Sequence, residues 1–381
     1  MEKKASTTEH KIIKPLIALS MMRQMGSQRI RLLKQHAGSI EGIFEMDYSD
    51  LTAIHGIGKQ IANELLDFDK WDEVERILDK TEQMGASIFT PKDEQYPSLL
   101  KQIYDPPLTL WIKGDVKVLE SPSISVVGTR SCSSYGKHMA RRLVQKLVDE
   151  QITITSGLAY GIDTVAHQTT VDNGGKTIAV LGSGIDVIYP RSNLPLSQKI
   201  VETGGAVISE FPPGTAPDAQ NFPVRNRIVS GLSMGTLVIE SGLKGGSMIT
   251  INSAINQNRE AFAIPHALTA NNNRGCNTLI RDGVAKLVMD AGDILNEITH
   301  FKRTFSENEV NEPPKPAWQT KELTEQQEHI CKTISEDDGT MHIDNLAETL
   351  DTSTSVLLAD LLQLEMQGCI EQKAGKHFQV K

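Results

Sequence analysis

Short apolar segments alternate with segments of helical length from Ser123 to about Ile298, and this alternation constrains the fold more than any other feature. Continuous apolar strands that are joined by helices indicate a parallel sheet covered on both faces. The sequence therefore predicts an α/β fold, with an extended Rossmann-like domain built on a doubly wound, mainly parallel sheet. The predicted strands are Ile124 to Val127, Ile152 to Thr155, Thr177 to Leu181, Ala206 to Ser209, Thr236 to Ile239, Ala261 to Ile264 and Lys286 to Met289.

Other segments complete the predicted domain organisation. Residues 1–87 carry apolar residues at helical spacing and are predicted to form a helical domain. Residues 88–300 form the Rossmann-like domain, which begins with an irregular lead-in up to Glu120 that covers one edge of the sheet. Residues 301–320 are rich in charge and proline, which is typical of an extended linker. Residues 321–381 contain three predicted helices and a hairpin, which indicate a winged-helix domain.

The segment Leu51 to Lys59 of the helical domain contains Gly56 and Gly58 and resembles the turn of a helix-hairpin-helix motif. In that motif two glycines free backbone amides at a helix N-terminus, where they can meet a phosphate. A glycine-bearing turn between two packed helices, with no ligand, accounts for the same residues equally well.

The net charge of −9 is distributed unevenly along the 381 residues. It amounts to −3 for residues 1–120, +1 for residues 121–300 and −7 for residues 301–381. Attraction between charges in solution acts over about one Debye length, roughly 10 Å at moderate salt. A nearly neutral central domain can therefore carry a local basic groove although the chain as a whole is acidic.

The composition is typical of a cytoplasmic protein. No apolar run approaches the roughly 20 residues of a membrane-spanning helix, and the polar first ten residues lack the pattern of a signal peptide. The cysteines are isolated, without the paired spacing of a metal site or a disulfide framework. They are Cys132, Cys276, Cys331 and Cys369. We therefore expect reduced thiols and no bound metal.

Three short stretches are expected at the carboxyl edge of the sheet, where ligands of such folds bind. They contribute Gly128, Thr129 and Arg130, then Phe222, Arg225, Asn226 and Arg227, and finally Ser241, Gly242 and Lys244. Backbone N–H groups and cations hold phosphates, and an aromatic ring supports an unstacked base. The sequence therefore predicts a groove for a nucleic acid.

Each stretch also has an interpretation that needs no ligand. Arg130 can be an ordinary surface arginine after a strand, and Phe222 can be a core residue beside solvated arginines. Ser247 can cap the helix that follows the third stretch. The sequence leaves these alternatives open.

No catalytic centre is predicted. Asp163 and His167 lie four residues apart and share a helical face, where an ion pair or a cap is the commoner explanation. Gly182-Ser183-Gly184 resembles the start of a dinucleotide fingerprint, but Val187 stands in place of the third glycine. We therefore expect neither NAD nor another cofactor.

A series of short motifs spans the central domain almost from end to end. The motifs are Tyr96-Pro97, Asp105-Pro106-Pro107, Gly114, Val127-Gly128-Thr129-Arg130, Ser156-Gly157, Gly161-Ile162-Asp163, Ala166-His167, Leu181-Gly182-Ser183-Gly184, Tyr189-Pro190, Ser209-Glu210-Phe211-Pro212, Phe222-Pro223, Arg225-Asn226-Arg227-Ile228, Ser241-Gly242, Gly246-Ser247, Gly275-Cys276-Asn277, Gly283 and Ala285. In this order they resemble the motifs of the DprA/Smf family of DNA-processing proteins.

The resemblance implies binding and protection of single-stranded DNA in natural transformation and DNA recombination. It also implies loading of the recombinase RecA onto that DNA, by a homodimer that catalyses no reaction, and single-strand DNA-binding protein is a further compatible partner. The implied helical domain is sterile-alpha-motif-like. The implied DNA contacts are Gly128, Thr129 and Arg130 on a phosphate, Phe222 near a base, Arg225, Asn226 and Arg227 along the strand, and Ser156, Gly157, Ser241, Gly242 and Lys244 as further lining residues.

The third predicted helix of the winged-helix domain, Ser353 to Gln367, does not suit DNA. It carries Asp360 and Glu365 but neither lysine nor arginine. A recognition helix lies against phosphates in the major groove, so this charge opposes insertion. We expect the domain to contact protein or to regulate the groove.

One enzymatic alternative stays open. The segment Met234 to Glu240 looks like the Gly-Gly-x-Gly-Thr-x-x-Glu signature of the lysine-decarboxylase-like nucleotide phosphoribohydrolases, which share a Rossmann-like sheet. Ser233 and Met234 replace the leading glycines of that signature. Its phosphate loop is therefore in doubt here.

Overall fold

The structure, a computed structural model, describes most of the chain and divides it into two compact units. The described residues are 7–22, 24–269, 274–299, 318, 321, 323–336, 340–350, 352–373 and 376–380. The first unit comprises Met1–Thr299 and the second His300–Lys381. Apart from residue 318, the predicted linker 301–320 lies outside the described residues.

A helical segment precedes the sheet in the first unit. Its elements are α1 (Thr7–Met21), α2 (Ser27–Ala37), a 3-10 helix (Glu41–Glu45), α3 (Tyr48–Ala53), α4 (Lys59–Leu66) and α5 (Trp71–Gln83). Buried side chains such as Leu33 and Ile43 form a core within this segment. A second cluster packs Ile17 of α1 with Trp111 of the sheet. The helices and the sheet thus share apolar contacts, and the domain boundary at residue 87 stays a prediction.

The glycine-bearing turn joins α3 to α4. Ile54 and Ile57 are buried there, and the N–H of Ile57 donates to the carbonyl of Ile54 at 3.0 Å. Gly56 has a φ of +92°, a conformation that favours glycine, and it is exposed together with Lys59. The turn forms as the sequence predicts, and nucleic-acid binding by it stays a prediction.

The central sheet has the strand order β1-β2-β6-β5-β4-β3-β7-β8-β9. The strands are β1 (Ser87–Phe89), β2 (Leu110–Gly114), β3 (Ser123–Val127), β4 (Thr153–Ser156), β5 (Thr177–Leu181), β6 (Ala206–Ser209), β7 (Gly235–Val238), β8 (Glu260–Ala263) and β9 (Lys286–Leu287). All neighbours from β6 to β9 in this order are parallel, whereas β1 with β2 and β2 with β6 are antiparallel. The prediction of a doubly wound, mainly parallel sheet is confirmed.

The predicted irregular lead-in from Ile88 to Glu120 is wrong in one respect. β1 and β2 lie within it and extend the sheet by an antiparallel pair. Trp111 of β2 is fully buried, and its Nε1 donates to the Oγ1 of Thr81 at 3.2 Å. β1 has only three residues, and β2, although as long as β3, stands in a segment rich in proline and tyrosine, which favours irregular structure.

Helices cover both faces of the sheet. They are α6 (Ser98–Lys101), α7 (Ser134–Asp149), α8 (Ile162–Asp172), α9 (Leu194–Glu202), α10 (Asn221–Gly231), α11 (Gly246–Asn256), α12 (Arg274–Arg281) and α13 (291–299). The chain runs from β3 to β6 towards one edge and then continues at β7, on the other side of β3. This reversal opens a crevice at the carboxyl ends of the strands, where ligands of doubly wound sheets bind.

The second unit is a small three-helix domain with its own sheet. Its elements are α14 (Glu325–Glu336), β10 (Thr340–His342), α15 (Ile343–Thr349), α16 (Thr354–Met366), β11 (Ile370–Lys373) and β12 (His377–Val380). The strands pair antiparallel in the order β10-β12-β11, so β10 adds to the predicted hairpin. α16 exposes Leu358, Leu362 and Met366. The arrangement is that of a winged helix, as predicted, and its protein partner stays a prediction.

Candidate nucleic-acid interface

A groove of about 690 Å³ opens at the carboxyl ends of β3, β4 and β7. Most of the residues that the sequence predicts as DNA contacts line it. They are Gly128, Thr129, Arg130, Gly157, Phe222, Arg225, Asn226, Ser241 and Gly242. Ser156, Arg227 and Lys244 are not among the lining residues. Three stretches that are far apart in the chain therefore converge on one groove, although not every predicted side chain lines it.

The cation of Arg130 and the ring of Phe222 meet in this groove. Arg130 is exposed, and its Cζ lies 5.4 Å from the centroid of the Phe222 ring, within the range of a cation–π contact. The ring also packs over Gly182, where an added Cβ would lie 2.9 Å from the Cδ1 of Phe222. Phe222 is thus half-buried in the wall of the groove rather than a core residue.

Tyr189 is a lining residue that the sequence did not predict as a contact. Its ring centroid lies 5.7 Å from that of Phe222, with an angle of 44° between the ring planes. In the sequence Tyr189-Pro190 is only a part of the family pattern, because the pairing of two rings from distant loops is a tertiary contact. The signal that could have found it is an aromatic residue soon after a predicted strand.

Arg225 lies beneath the groove instead of reaching into solvent. It is only 4% exposed, and its Nη1 donates to the carbonyl of Gly157 at 2.7 Å and to that of Val180. Burial lowers the pKa of Arg225 to about 10, partly offset by the charge of Asp163. Its guanidinium therefore joins the ends of β4 and β5, and contact of Arg225 with a DNA strand stays a prediction.

Gly157 fits closely against the guanidinium of Arg225. A Cβ at Gly157 would lie 2.5 Å from the Nη2 of Arg225, so a larger residue would displace the arginine. The carboxylate of Asp163 accepts hydrogen bonds from the N–H of Gly157 at 3.1 Å and of Ala159 at 3.4 Å. Burial raises the pKa of Asp163, and these bonds and Arg225 oppose that rise. Asp163 thus holds the loop that precedes α8. The expected helix cap is not formed, because the N-cap residue Gly161 makes no hydrogen bond with a capping side chain, and His167 contacts Thr177 instead of Asp163.

Ser156 and His167 are structural. The hydroxyl of Ser156 is fully buried and donates to the carbonyl of Val126 at 2.6 Å. His167 is also fully buried, with its Nδ1 2.7 Å from the Oγ1 of Thr177. Burial, followed by the charge of Arg225, lowers the pKa of His167 to about 3. Neither side chain can reach a strand in the groove.

The glycine-rich turn from Ser241 to Ser247 leads into α11. The hydroxyl of Ser247 donates to that of Ser241 at 2.8 Å, which in turn donates to the carbonyl of Gly242 at 2.9 Å. α11 begins at Gly246, so the alternative in which Ser247 caps this helix is wrong. Gly245, the N-cap of α11, and Gly246, its first residue, line the groove, and the unpaired N–H groups of a helix N-terminus suit an anion.

Arg227 takes part in a partly buried charge cluster on another side of α10. Its Nη1 and Nη2 donate to the two carboxylate oxygens of Glu210 at 3.0 and 2.7 Å, and its Nε to Asp105 at 3.3 Å. Asp105 also accepts from the Nη1 of Arg31 on α2 at 2.9 Å and from the hydroxyl of Ser27 at 2.6 Å. We call these five residues the charge cluster. It ties the helical segment to α10.

The charge cluster borders a second cavity of about 520 Å³, between the helical segment and the sheet. Arg227 and Val224 line this cavity and not the groove. Burial raises the pKa of Glu210. Burial alone would lower the pKa of Arg227, but the negative charges of Glu210 and Asp105 outweigh this effect and raise it. The charges of the cluster are thus internally balanced.

Glu240 follows β7 and has a structural role. Its carboxylate is buried, and its Oε2 accepts from the backbone N–H and the hydroxyl of Ser133 at 3.0 Å each. Ser133 is the N-cap of α7, where a negative charge complements the helix dipole. A carboxylate engaged in this way does not point to the phosphoribohydrolase alternative.

Two known protein families match this chain. The family described as DNA recombination-mediator protein A matches residues 87–299, more than half of the chain, and the DprA winged helix domain matches residues 312–376. The chain belongs to the DNA recombination-mediator protein A family. The resemblance to DprA/Smf proteins is therefore confirmed, and the winged-helix assignment with it.

Individual members of the family are similar over much of their length. DNA processing protein DprA of Streptococcus pneumoniae is 44% identical over 209 residues, which are 55% of this chain and 73% of that protein. Protein Smf of Escherichia coli is 34% identical over 334 residues, 86% of each chain. This chain is thus a DNA-processing protein of the DNA recombination-mediator protein A family.

Solved structures of family members share the fold. The X-ray structure of DprA from Streptococcus pneumoniae superimposes with a TM-score of 0.64 at 35% identity, covering 77% of this chain and 99% of that one. DNA processing protein A from Helicobacter pylori, described with its single-stranded DNA binding mode, superimposes with a TM-score of 0.51 at 28% identity, covering 56% of this chain and 96% of that one.

Within the described part of this chain, no helix is long and apolar enough to cross a membrane.

Proposed function

We propose that this member of the family binds single-stranded DNA in the groove at the carboxyl ends of β3, β4 and β7. The observation that carries the proposal is the exposed guanidinium of Arg130 over the ring of Phe222, beside the start of α11. A cation, a ring and helix-terminal amides together suit a phosphate with an unstacked base. The single-stranded DNA binding described for the Helicobacter pylori relative supports the same ligand here.

The number of cations in the groove sets the expected salt dependence. Arg130 and Arg225 are the arginines that line it, and Arg225 is engaged with Gly157 and Val180. We therefore expect about one or two phosphates to be neutralised, fewer than the three arginines and one lysine of the sequence prediction would neutralise. The slope of log affinity against log salt should be about −0.7 to −1.4, from the single-strand coefficient of about 0.7 per phosphate.

A charge reversal tests the groove directly. Arg130→Glu should weaken binding of a fluorescent single-stranded oligonucleotide about 10- to 150-fold, since a charged hydrogen bond contributes about 1.5 to 3 kcal/mol. Arg141→Glu makes the same charge change at an exposed position of α7 outside the groove and should leave affinity nearly unchanged. Equal affinities of Arg130→Glu and the wild type, in fluorescence anisotropy titrations, would remove the proposed site.

We propose further that the protein acts in the cytoplasm as a homodimer, as the family resemblance implies. This homodimer would protect the strand and deliver it to the recombinase RecA. RecA assembly on DNA covered by single-strand DNA-binding protein can be followed through the ATPase activity of RecA. The wild type should shorten the lag and Arg130→Glu should not. An unchanged lag with the wild type would refute delivery, and a monomer in sedimentation analysis would refute the dimer.

We further propose that the groove binds its strand without a chemical reaction. Support comes from Glu240, whose carboxylate is held by Ser133 at the start of α7. Incubation with nucleoside monophosphates should release no free base. Turnover that Glu240→Gln abolishes would favour the phosphoribohydrolase alternative instead.

A further inference from the structure

Tyr189 presents an aromatic ring to the groove next to the proposed contact residues. It is 42% exposed, lines the groove, and lies with its ring centroid 5.7 Å from that of Phe222. Exposed aromatic side chains that line a nucleic-acid groove are the surfaces on which unpaired bases stack. The side chain therefore has the chemistry of a base contact.

The neighbouring ring of Phe222 is already partly covered. The guanidinium of Arg130 lies 5.4 Å from its centroid, and Gly182 packs against its edge. The two rings are tilted by 44° to one another, so they do not form one flat surface. Two tilted rings side by side offer separate planes, each suited to one base.

The loop that carries Tyr189 is fixed by contacts outside the groove. The hydroxyl of Ser183 donates to the carbonyl of Val187 at 2.6 Å, and the N–H of Val187 donates to the carbonyl of Gly184 at 2.8 Å. The carboxylate of Asp186 accepts from the N–H of Gly214 at 2.7 Å. A loop that is fixed before binding loses little conformational freedom when a base stacks on a side chain that it carries.

Asp186 adds a further anchor to this loop. Its carboxylate pairs with the Nζ of Lys80 on α5 at 2.6 Å. Partial burial raises the pKa of Asp186, but the bonds from Lys80 and Gly214 outweigh that effect and lower it. The carboxylate is therefore ionised at neutral pH, and the helical segment supports the loop on the side away from the ring.

We propose that Tyr189 is a second base-stacking residue, which takes the base next to the one held at Phe222 and Arg130. The proposal rests on the single-stranded DNA binding proposed above. The ligand class is any unpaired nucleobase, because every base has a π face and stacking of this kind tolerates sequence. The phenolic hydroxyl is not required for it.

The experiment compares a thymidine hexamer with an abasic chain of equal length. Tyr189→Ala should weaken binding of the hexamer about 5- to 150-fold, which corresponds to about 1 to 3 kcal/mol. On the abasic chain the same substitution should have no effect, because no base is present to stack. Tyr189→Phe should keep the wild-type affinity, and Tyr160→Ala provides a matched control with an exposed tyrosine outside the groove.

A double substitution separates stacking from a supporting role. If the two rings hold two different bases, the double variant should bind more weakly than either single variant, although the losses of two rings in contact are not expected to multiply fully. If Tyr189 only positions Phe222, the double variant should bind no more weakly than Phe222→Ala, and that result would overturn the proposal. Tyr189→Leu keeps an apolar contact to Phe222 without a π face, so it serves if the alanine variant is unstable.

The control at Arg130 separates this proposal from the one on which it rests. Full affinity of Tyr189→Ala and Tyr189→Leu for the hexamer, with weakened binding by Arg130→Glu, would refute the second stacking residue alone. Absence of hexamer binding by the wild type would refute the groove as a single-strand site, and Tyr189 with it.

Discussion

Replacing Arg227 with methionine should destabilise the first unit although Arg227 lies outside the groove. The side chains of Arg227 and Glu210 are only 15% and 12% exposed, and two hydrogen bonds of 3.0 and 2.7 Å join them. The substitution leaves the buried carboxylate of Glu210 without its counter-charge. Breaking a buried pair in this way costs about 3 to 5 kcal/mol, against total stabilities of about 5 to 15 kcal/mol.

Urea denaturation followed by circular dichroism measures this loss, and its pH dependence identifies the cause. Burial raises the pKa of Glu210 in the folded protein, and without Arg227 nothing at that distance opposes the rise. Between the ordinary and the raised pKa the folded state binds more protons than the unfolded state, so stability falls as pH increases through that window. The Arg227→Met variant should therefore lose less stability at pH 5 than at pH 7.

A second variant and a surface control complete the test. Arg227→Met combined with Glu210→Leu should recover most of the stability, because an apolar pair can replace a buried ion pair at little cost. Arg141→Met, at an exposed site on α7, should change stability by no more than about 0.5 kcal/mol. A loss below about 1 kcal/mol for Arg227→Met, or no recovery in the double variant, would refute the role assigned to the charge cluster.

Three other substitutions test single contacts. The pKa of His167 is about 3 in the folded protein, so between about pH 6 and pH 4 the unfolded state binds its proton first, and the free energy of unfolding falls by about 1.4 kcal/mol for each pH unit. His167→Gln should remove this contribution and flatten the fall. An unchanged slope in urea titrations across this pH range would show that the inference is wrong. Gly182→Ala places a Cβ 2.9 Å from the ring of Phe222 and should weaken single-strand binding in anisotropy titrations. Gly26→Ala should not reproduce this effect, because Gly26 lies outside the groove, has a negative φ and has open space where the Cβ would go. Glu240→Gln should lower stability in thermal melts by about 1 to 3 kcal/mol, because it loses the charge that accepts from Ser133, and an unchanged melt would contradict this.

The sheet could be predicted from the sequence because its central strands are buried on both faces. Every residue of β3 and of β5 is buried, so each of these strands is a continuous run that interrupts the helical spacing on either side of it. β1 has only three residues, and β2, with five, follows a proline-rich segment and exposes its last two residues, so neither is a continuous buried run. β9 has two residues where four were expected, which are too few for a period to be read.

The face of α10 that meets the groove could have been predicted more sharply. Phe222, Arg225 and Val229 line the groove at spacings of three and four residues, whereas Val224 and Arg227 line the other cavity. Successive residues of a helix are about 100° apart, so two arginines two positions apart cannot share a face. Helical spacing alone therefore separates Arg227 from the groove residues.

The burial of Arg225 could not be predicted in the same way. Its partners are the carbonyls of Gly157 and Val180, which follow or belong to strands 68 and 45 residues away in the chain. Only the packing of α10 on the strand ends decides that this guanidinium points inward. An arginine next to an aromatic residue reads in sequence as a surface cation, since arginine is rarely buried unless paired.

α10 is held from two sides, and this bears on how the proposed groove would bind. Arg225 fastens the helix to the ends of β4 and β5, while Arg227 fastens its opposite side to Glu210 and, through Asp105, to α2. Phe222 is thereby presented on a helix whose position is fixed on two sides. A strand that enters such a groove does not have to order this helix, and less of the binding free energy is lost to immobilisation. Arg227 would thus act on affinity through the geometry of the groove and not through a phosphate contact, which is why a change at Arg130 should alter the salt slope and a change at Arg227 should not.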